Sequence, residues 1–326
     1  MITKRRFLTL ACAGGLASVA PGTRQMARAE GWPAKPIRII ESFPAGVARD
    51  ARTRVIAEKL SAVLGQQVYV ENRPGAGGRL GAQAAVSAPP DGYTFSMLGI
   101  SDIISKYLYD LAYDVERDLV PVSMIETLPV VLIVSPSLPV KNLAELMSRA
   151  KDHPGEMTYG SSGAGSFFHV NALQFLNVTN SDLKHVPYGQ GSLMSDLLGG
   201  HIDMVFDAVP VYLESLKAGK LRALALTGER RALVMPDVPT FAESGVPAYD
   251  RFALYGIAAP KGTPQAIITK MQEAVSQILH QPELYHQWLS EGGNPVGSTS
   301  AEFAARLRSE SERWSNIVRT NHLRIE

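Results

Sequence analysis

Cysteine is nearly absent from this sequence: Cys12, the one cysteine, stands near the amino terminus inside an uncharged apolar run. A single thiol cannot form an internal disulfide, and a thiolate metal site needs several cysteines. We therefore interpret Cys12 as a small apolar residue. The alternative, a lipid-anchoring cysteine, is disfavoured because Cys12 lies early in the run and has no leucine three residues before it.

The sequence also lacks a long apolar segment and a dominant charge. The uncharged apolar run at residues 7–20 is shorter than the roughly 20 residues that a membrane-spanning helix needs. The formal net charge is +1, without a long run of one sign, which argues against the basic face that nucleic-acid binding requires. We therefore expect a soluble mature chain with no nucleic-acid partner and a small ligand.

The amino terminus has the parts of an export signal. A basic start at residues 4–6 precedes the apolar run, and the Ala-Arg-Ala sequence at 27–29 offers small residues before a cleavage point. Residues 3–8 are similar to a twin-arginine signal with lysine in the first arginine position, so this route and the general secretory route both stay open. We expect residues 1–29 to be removed on export to the periplasm.

Strand-like and helix-like segments alternate along the remaining chain. Asn142 with Glu145, and Thr299 with Glu302, have the capping-box spacing that predicts a helix start. Such alternation favours parallel sheets covered by helices, in which ligands bind at the carboxyl ends of the strands. The predicted strands are residues 37–40, 67–70, 94–98, 130–134, 157–159, 202–206, 221–226 and 254–258.

Two loops after predicted strands have the composition of anion-binding loops. In residues 43–50, Pro44 lacks an N–H, but Ala45, Gly46 and Val47 have amides that are free to point at an anion at a helix entrance. Residues 160–166, Gly-Ser-Ser-Gly-Ala-Gly-Ser, add three hydroxyls before a second predicted helix. Each loop alone is also compatible with an ordinary turn. Together they favour a cleft in which each loop holds one end of a small dianion, or in which both loops close on a single carboxylate.

Signatures of enzymes and cofactor sites mostly fail. The glycine-rich residues 75–81 have Leu80 where a dinucleotide fingerprint needs its third glycine, and residues 160–164 lack the final glycine of a hydrolase nucleophile elbow. The seven histidines include no pair at helical metal-ligand spacing. We therefore expect no catalytic residue, cofactor or metal ion. The alternative from another class is a periplasmic hydrolase or lyase that uses the serines near His169.

Ordered motifs along the whole mature chain closely resemble the Bug family of periplasmic solute receptors. They include Trp32-Pro33-Ala34-Lys35-Pro36-Ile37-Arg38, Val70-Glu71-Asn72-Arg73-Pro74-Gly75-Ala76-Gly77-Gly78, Pro89-Pro90-Asp91-Gly92-Tyr93-Thr94, His185-Val186-Pro187-Tyr188, Asp196-Leu197-Leu198-Gly199-Gly200 and Pro236-Asp237-Val238-Pro239-Thr240.

This resemblance implies a receptor of a tripartite tricarboxylate transporter. The implied fold is α/β, a two-lobe periplasmic binding protein of type II (Venus flytrap) with crossover strands. We expect lobe one at residues 33–126 plus 251–326 and lobe two at 127–250. The implied partners are a small organic acid and the transporter's membrane subunits, and we expect a monomer without a cofactor. A receptor that instead feeds a signalling kinase stays an alternative.

The resemblance also implies a ligand-binding role for Phe43, Ala45, Gly46, Val47, Ser161, Ser162, Gly163 and Ser166. Asp50 and Asp207 occupy family positions and either meet the ligand or fix loops. We interpret His169 as a packing histidine, with ligand contact as the alternative. Tyr188 either lines the cleft or packs.

This chain departs from the family pattern at two positions of the first loop. Val47 replaces a second glycine, and Arg49 replaces a small residue. Arg49 pairs with a ligand carboxylate, pairs with Asp50 or Asp102, or lies on the surface. Ser101 is a further candidate. An acidic Asp102 in the cleft would disfavour a second carboxylate and favour a polar or cationic end of the ligand.

Overall fold

A computed structural model of the protein describes residues 31–188, 193–249 and 251–320. The predicted export signal with Cys12 lies outside the described residues. The first half comprises β1 (Ile37–Glu41), α1 (Ala48–Leu64), β2 (Val68–Asn72), a 3₁₀ turn (Ala76–Gly78), α2 (Arg79–Val86), β3 (Thr94–Gly99), α3 (Ile100–Leu108), α4 (Val115–Asp118) and β4 (Leu119–Val134). The second comprises α5 (Leu143–Asp152), β5 (Thr158–Ser161), α6 (Phe167–Thr179), β6 (Lys184–Pro187), α7 (Leu193–Gly199), β7 (Met204–Ala208), α8 (Val209–Lys217), β8 (Arg222–Leu226), β9 (Phe252–Pro260), α9 (Gln265–Leu279), α10 (Pro282–Ser290), β10 (Asn294–Pro295) and α11 (Ser300–Thr320).

The strands form a mixed sheet in the order β2-β1-β3-β9-β4-β7-β5-β6, and β8 and β10 also pair with β4. At one end β2, β1 and β3 are parallel, and at the other β5 is parallel to both β6 and β7. Between them β9 and β4 run antiparallel to each other and to their outer neighbours. The expected α/β fold with crossover strands is confirmed.

The long strand β4 connects the two parallel groups. Its first part pairs with β9 from Leu119 to Pro129, and its last residues pair with β7 and β8. Gly256 on β9 lies so close to β4 that a methyl group there would overlap the Ser123 carbonyl, so the crossing requires glycine at this position. The lobe limits that we placed next to this crossing stay a prediction.

Local signals and burial explain the helices. Asn142 accepts a hydrogen bond from the Glu145 amide at 2.9 Å, and the Thr299 amide donates to Glu302 at 2.8 Å, which confirms both predicted helix starts. Helix α11 packs on β4 and α3 with its Trp314 side chain fully buried. No helix among the described residues is both long and apolar enough to span a bilayer.

Candidate functional site

A cavity of about 310 Å³ lies where strands end and helices begin. Its lining comes from the loops after β1, β3, β5, β6 and β7 and from the neighbouring parts of β4 and β9. This is the edge at which α/β sheets hold ligands. The sequence-predicted residues in the lining are Phe43, Ala45, Gly46, Val47, Arg49, Ser101, Ser162, Tyr188 and Asp207. Those outside it are Asp50, Ser161, Gly163, Ser166 and His169.

The first loop does not leave every predicted amide free. The Gly46 amide donates to Asp50 at 2.9 Å, and the Phe43 amide donates to Glu41 at 3.1 Å. Helix α1 then begins after Val47, which adopts an extended conformation and supplies no side-chain cap. The amides of Ala45, Val47 and the first turn of α1 are therefore the donors that stay available at the cavity, because no hydrogen bond to another described residue occupies them.

Asp50 lies behind this loop and holds it in place. It accepts hydrogen bonds from the Gly46 amide, from Arg54 at 2.9 Å and from Asn72 at 2.8 Å. Burial opposes its ionisation, but these donors outweigh burial and hold the pKa of Asp50 below its ordinary value. Of the two roles left open for Asp50, the geometry favours loop fixing.

Asp50→Ala is expected to lower the free energy of unfolding by about 2 kcal/mol or more, because charge-assisted hydrogen bonds contribute about 1.5–3 kcal/mol each. The lowered pKa means that this contribution is present above the ordinary aspartate pKa and is lost as pH falls through the folded-state value. Urea unfolding at neutral and acid pH measures both effects. The control is Glu214→Ala, whose carboxylate is 89% exposed; equal effects of the two substitutions would contradict the loop-fixing role.

Arg49 lines the cavity, but its charge is matched inside the protein. Its Nε donates to Glu41 at 2.8 Å, and its Nη1 lies 3.7 Å from Asp102. The guanidinium also stacks over the Phe43 ring at 4.6 Å from the centroid. Burial alone would lower the pKa of Arg49, but the two carboxylates outweigh it and raise the pKa. Of the alternatives for Arg49, the structure shows the pairing with Asp102, and it shows neither pairing with Asp50 nor a surface position. Pairing with a ligand carboxylate stays a prediction.

Asp102 is not among the residues that line the cavity. Its side chain accepts the Gly99 amide at 2.8 Å, which caps the start of α3, and it faces Arg49 behind the cavity wall. Burial raises the pKa of Asp102. The residue therefore fixes the turn from β3 into α3 and pairs with Arg49. It does not take part in the cavity lining.

Two histidines form hydrogen bonds with the serine-rich loop after β5. Ser161 forms a hydrogen bond with His185 at 2.7 Å, and His169 accepts the Gly165 amide at 3.0 Å. The two imidazoles stack with their centroids 3.8 Å apart. Burial lowers the pKa of His169 to about 3 and that of His185 to about 4, so both rings are neutral at physiological pH. Sequence reasoning missed His185, although it lies in one of the resembling motifs.

The same contacts argue against the hydrolase alternative. A general base works best with a pKa near the operating pH, and the pKa of His185 lies far below it. Ser161 also donates to the Gly163 carbonyl at 3.2 Å, and Ser166 caps α6 by accepting the His169 amide at 3.3 Å. In this loop Ser162 is the serine that reaches the cavity.

Asp207 lines the cavity near the end of β7. It accepts the Ala208 amide at 2.7 Å and the Tyr212 hydroxyl at 3.0 Å. Burial raises the pKa of Asp207 to about 6. Tyr188 lines the cavity with its ring and donates its hydroxyl to Asp196 at 2.6 Å.

The helix starts at the cavity differ in how their amides are matched. Ser166 caps α6, and Asp102 and Asp207 accept the amides of Gly99 and Ala208 just before α3 and α8. At α1, Val47 provides no side-chain cap and its own amide has no acceptor among the described residues. Uncapped amides and the positive end of the helix dipole together make a binding place for an anion. In the described part of the chain, no cluster of His, Cys, Asp or Glu could hold a metal ion.

Comparisons with known proteins agree with this geometry. Residues 52–323 match the family model described as the tripartite tricarboxylate transporter family receptor. BugT of Bordetella pertussis (strain Tohama I) is 33% identical over 316 residues, covering 96% of this chain and 97% of BugT.

Solved structures of similar proteins have the same fold. An R. palustris protein solved with adipate is 32% identical, with a TM-score of 0.85 over 90% of this chain and 99% of its own. MatC from Rhodopseudomonas palustris, solved with bound malate, is 29% identical, with a TM-score of 0.84 over 88% of this chain and 100% of its own. The expected two-lobe periplasmic binding protein fold and the Bug-type resemblance are confirmed. The chain belongs to the tripartite tricarboxylate transporter receptor family.

Proposed function

We propose that this protein is an extracytoplasmic receptor that captures a small organic carboxylate between two lobes. It delivers the ligand to the membrane subunits of a tripartite tricarboxylate-type transporter. Export removes residues 1–29, and the mature receptor works in the periplasm as a monomer. Binding and closure are its whole mechanism, because a receptor needs no chemical step.

The observation that carries this proposal is the uncapped start of α1 at a mostly apolar cavity. The amides of Ala45 and Val47, the first turn of α1 and the hydroxyls of Ser101 and Ser162 are donors suited to one carboxylate. Adipate and malate, named with the two similar structures, are small organic acids of the class that such donors would bind.

Closure follows from the placement of the donors. In the proposed division, lobe one is residues 33–126 plus 251–326 and contributes α1, while lobe two is residues 127–250 and contributes α6 and α8. The Phe167 amide donates to Ser101 at 3.0 Å, which is a hydrogen bond between the two proposed lobes. A ligand that contacts both lobes shifts the population toward this closed arrangement, which the membrane partner then recognises.

A thermal-shift screen tests the proposal. The mature protein is unfolded and refolded to remove carried-over ligand and is screened against mono-, di- and tricarboxylates, amino acids, amines, sugars and amides. A ligand at about 100 times its Kd stabilises the native state by about 2.7 kcal/mol, which raises the midpoint by several degrees. We expect shifts only among compounds with a carboxylate. Shifts confined to neutral or purely cationic compounds would contradict the proposal.

Val47→Pro tests the role of the α1 entrance directly. Val47 has φ −74°, which proline adopts readily, so the substitution removes the amide proton while keeping the backbone conformation. We expect the affinity for a carboxylate found in the screen to fall by about tenfold or more. Val47→Ala keeps the amide and is the matched control, with an expected change below about threefold. Equal affinities of the two variants, measured by titration calorimetry, would exclude the Val47 amide as a ligand donor.

A further inference from the structure

We propose that the ligand is a monocarboxylate whose apolar body carries an amino group at its far end, and that Asp207 receives this amine. This inference rests on the proposed carboxylate receptor and names its substrate class. It starts from the balance of charge in the cavity wall.

Among the described residues of the lining two are charged, Arg49 and Asp207, and they differ in how their charge is matched. Arg49 has two carboxylate partners, Glu41 and Asp102. Asp207 accepts hydrogen bonds from the Ala208 amide and the Tyr212 hydroxyl, both neutral, and no cation among the described residues pairs with it. A carboxylate in a largely buried wall is costly unless a positive charge compensates it. A ligand amine would supply that charge.

Asp207 has the capacity to bind an amine. Each oxygen of its carboxylate has two lone pairs, and each accepts one hydrogen bond within the described structure. The residue lies near the end of β7, which β3, β9 and β4 separate from β1 in the strand order, so Asp207 and the loop after β1 line different parts of the cavity. A ligand carboxylate at the start of α1 would therefore place the opposite end of the molecule toward Asp207.

The tyrosine hydroxyls that could donate to a second carboxylate are already occupied. Each tyrosine hydroxyl of the lining already donates its proton to a carboxylate of the protein: Tyr188 to Asp196, Tyr212 to Asp207 and Tyr255 to Glu126. A dicarboxylate would bring a second negative charge beside Asp207, where it would be repelled. Asp207 thus disfavours dicarboxylates. From the sequence, we had considered this role for Asp102.

The middle of the cavity determines the body of the ligand. The rest of the lining is largely apolar, with Phe43, Leu128, Phe168, Met194 and Val211 among its residues. Such a wall favours a hydrocarbon chain or an aromatic ring over a polyhydroxylated body, because hydroxyls would lose their hydrogen bonds to water.

Two matched ligand series test the inference by titration calorimetry on refolded mature protein. The first is hexanoate, 6-aminohexanoate and adipate; the second is benzoate, 4-(aminomethyl)benzoate and terephthalate. In the series that fits the cavity, we expect the amino acid to bind about tenfold or more tightly than the parent acid, and the dicarboxylate to bind most weakly.

Asp207→Asn is the decisive variant, because it keeps the shape and an acceptor oxygen while removing the charge. It should reduce the affinity for the amino acid to about that of the parent acid and improve binding of the dicarboxylate. Glu214→Ala, an exposed substitution on the neighbouring helix α8, should leave the ranking unchanged. If Asp207→Asn fails to fold, the order of the ligand affinities for the wild-type protein still tests the inference.

The outcomes separate this inference from the proposed function. If adipate or terephthalate binds as tightly as its amino partner, or if Asp207→Asn leaves the ranking unchanged, the amine assignment is overturned while the carboxylate receptor stands. If no acid of either series or of the wider panel binds, the proposed function fails with it.

Discussion

Removal of residues 301–326 is expected to abolish cooperative unfolding. This segment contains nearly all of α11, whose Phe303, Leu307 and Trp314 side chains are at most 3% exposed. Loss of a buried Phe or Trp costs about 3–5 kcal/mol and loss of a buried Leu about 2–5 kcal/mol, which together reach the whole stability of a typical domain. Circular dichroism and tryptophan fluorescence during urea unfolding would show the loss as a broad transition without a folded baseline.

Point variants in the same helix show whether packing causes this effect. Trp314→Ala should unfold cooperatively with a free energy of unfolding lowered by about 3–5 kcal/mol. Glu312, on the exposed side of α11, should tolerate alanine within about 0.5 kcal/mol. A truncated protein that is soluble and melts cooperatively would contradict the assignment of α11 to the core of lobe one.

Arg49→Met is expected to lower the free energy of unfolding by about 3–5 kcal/mol. The substitution leaves the fully buried Glu41 and the 4% exposed Asp102 without their cation. Breaking a buried ion pair by removing one partner costs this much because the remaining charge has no compensation. Urea unfolding at neutral pH measures the loss.

A neutral triple variant separates lost charge from lost packing. Replacing Glu41 by Gln and Asp102 by Asn in the Arg49→Met background removes the uncompensated charges, so most of the lost stability should return. Arg231→Ala, which breaks an exposed pair with Glu243, should cost at most about 1 kcal/mol. An Arg49→Met protein that keeps its stability and loses only carboxylate binding would instead make Arg49 a ligand clamp.

Periodicity and turn chemistry were enough to predict most of the fold. Every predicted strand overlaps an observed one, because buried strands are continuous apolar runs bounded by turn residues. The first part of β4 was missed because Pro121, Ser123 and Glu126 interrupt its apolar pattern. Ser123 and Glu126 form hydrogen bonds there with residues that are distant in the sequence. Local sequence patterns do not show such distant partners.

Glu126 illustrates such a partnership. This fully buried acid accepts hydrogen bonds from Tyr255 and from Arg52, and Arg52 also pairs with Glu291. Burial raises the pKa of Glu126 to about 7. The four residues come from separate parts of the sequence, so only the folded chain brings them together.

The sequence predicted which loops line the candidate site, but not all of the hydrogen-bond and ion-pair partners within it. Loop composition identified the cavity-facing residues Val47 and Ser162, since strand-to-helix loops lie at the sheet edge that binds ligands. Of the two partners of Arg49, Asp102 was among the predicted alternatives and Glu41 was missed, although Glu41 is an acid directly following the apolar run of β1, which is a detectable signal. His185 was missed as the partner of Ser161, because β5 and β6 pair only through the sheet.

The most direct test of the account is a calorimetric titration of the refolded mature protein with a matched pair of ligands. One is the acid that gives the largest shift in the thermal screen, and the other is its primary amide, which has nearly the same shape without the charge. We predict that the acid binds at a single site and at least about tenfold more tightly than the amide. An amide that binds as tightly as the acid would contradict carboxylate capture at the start of α1.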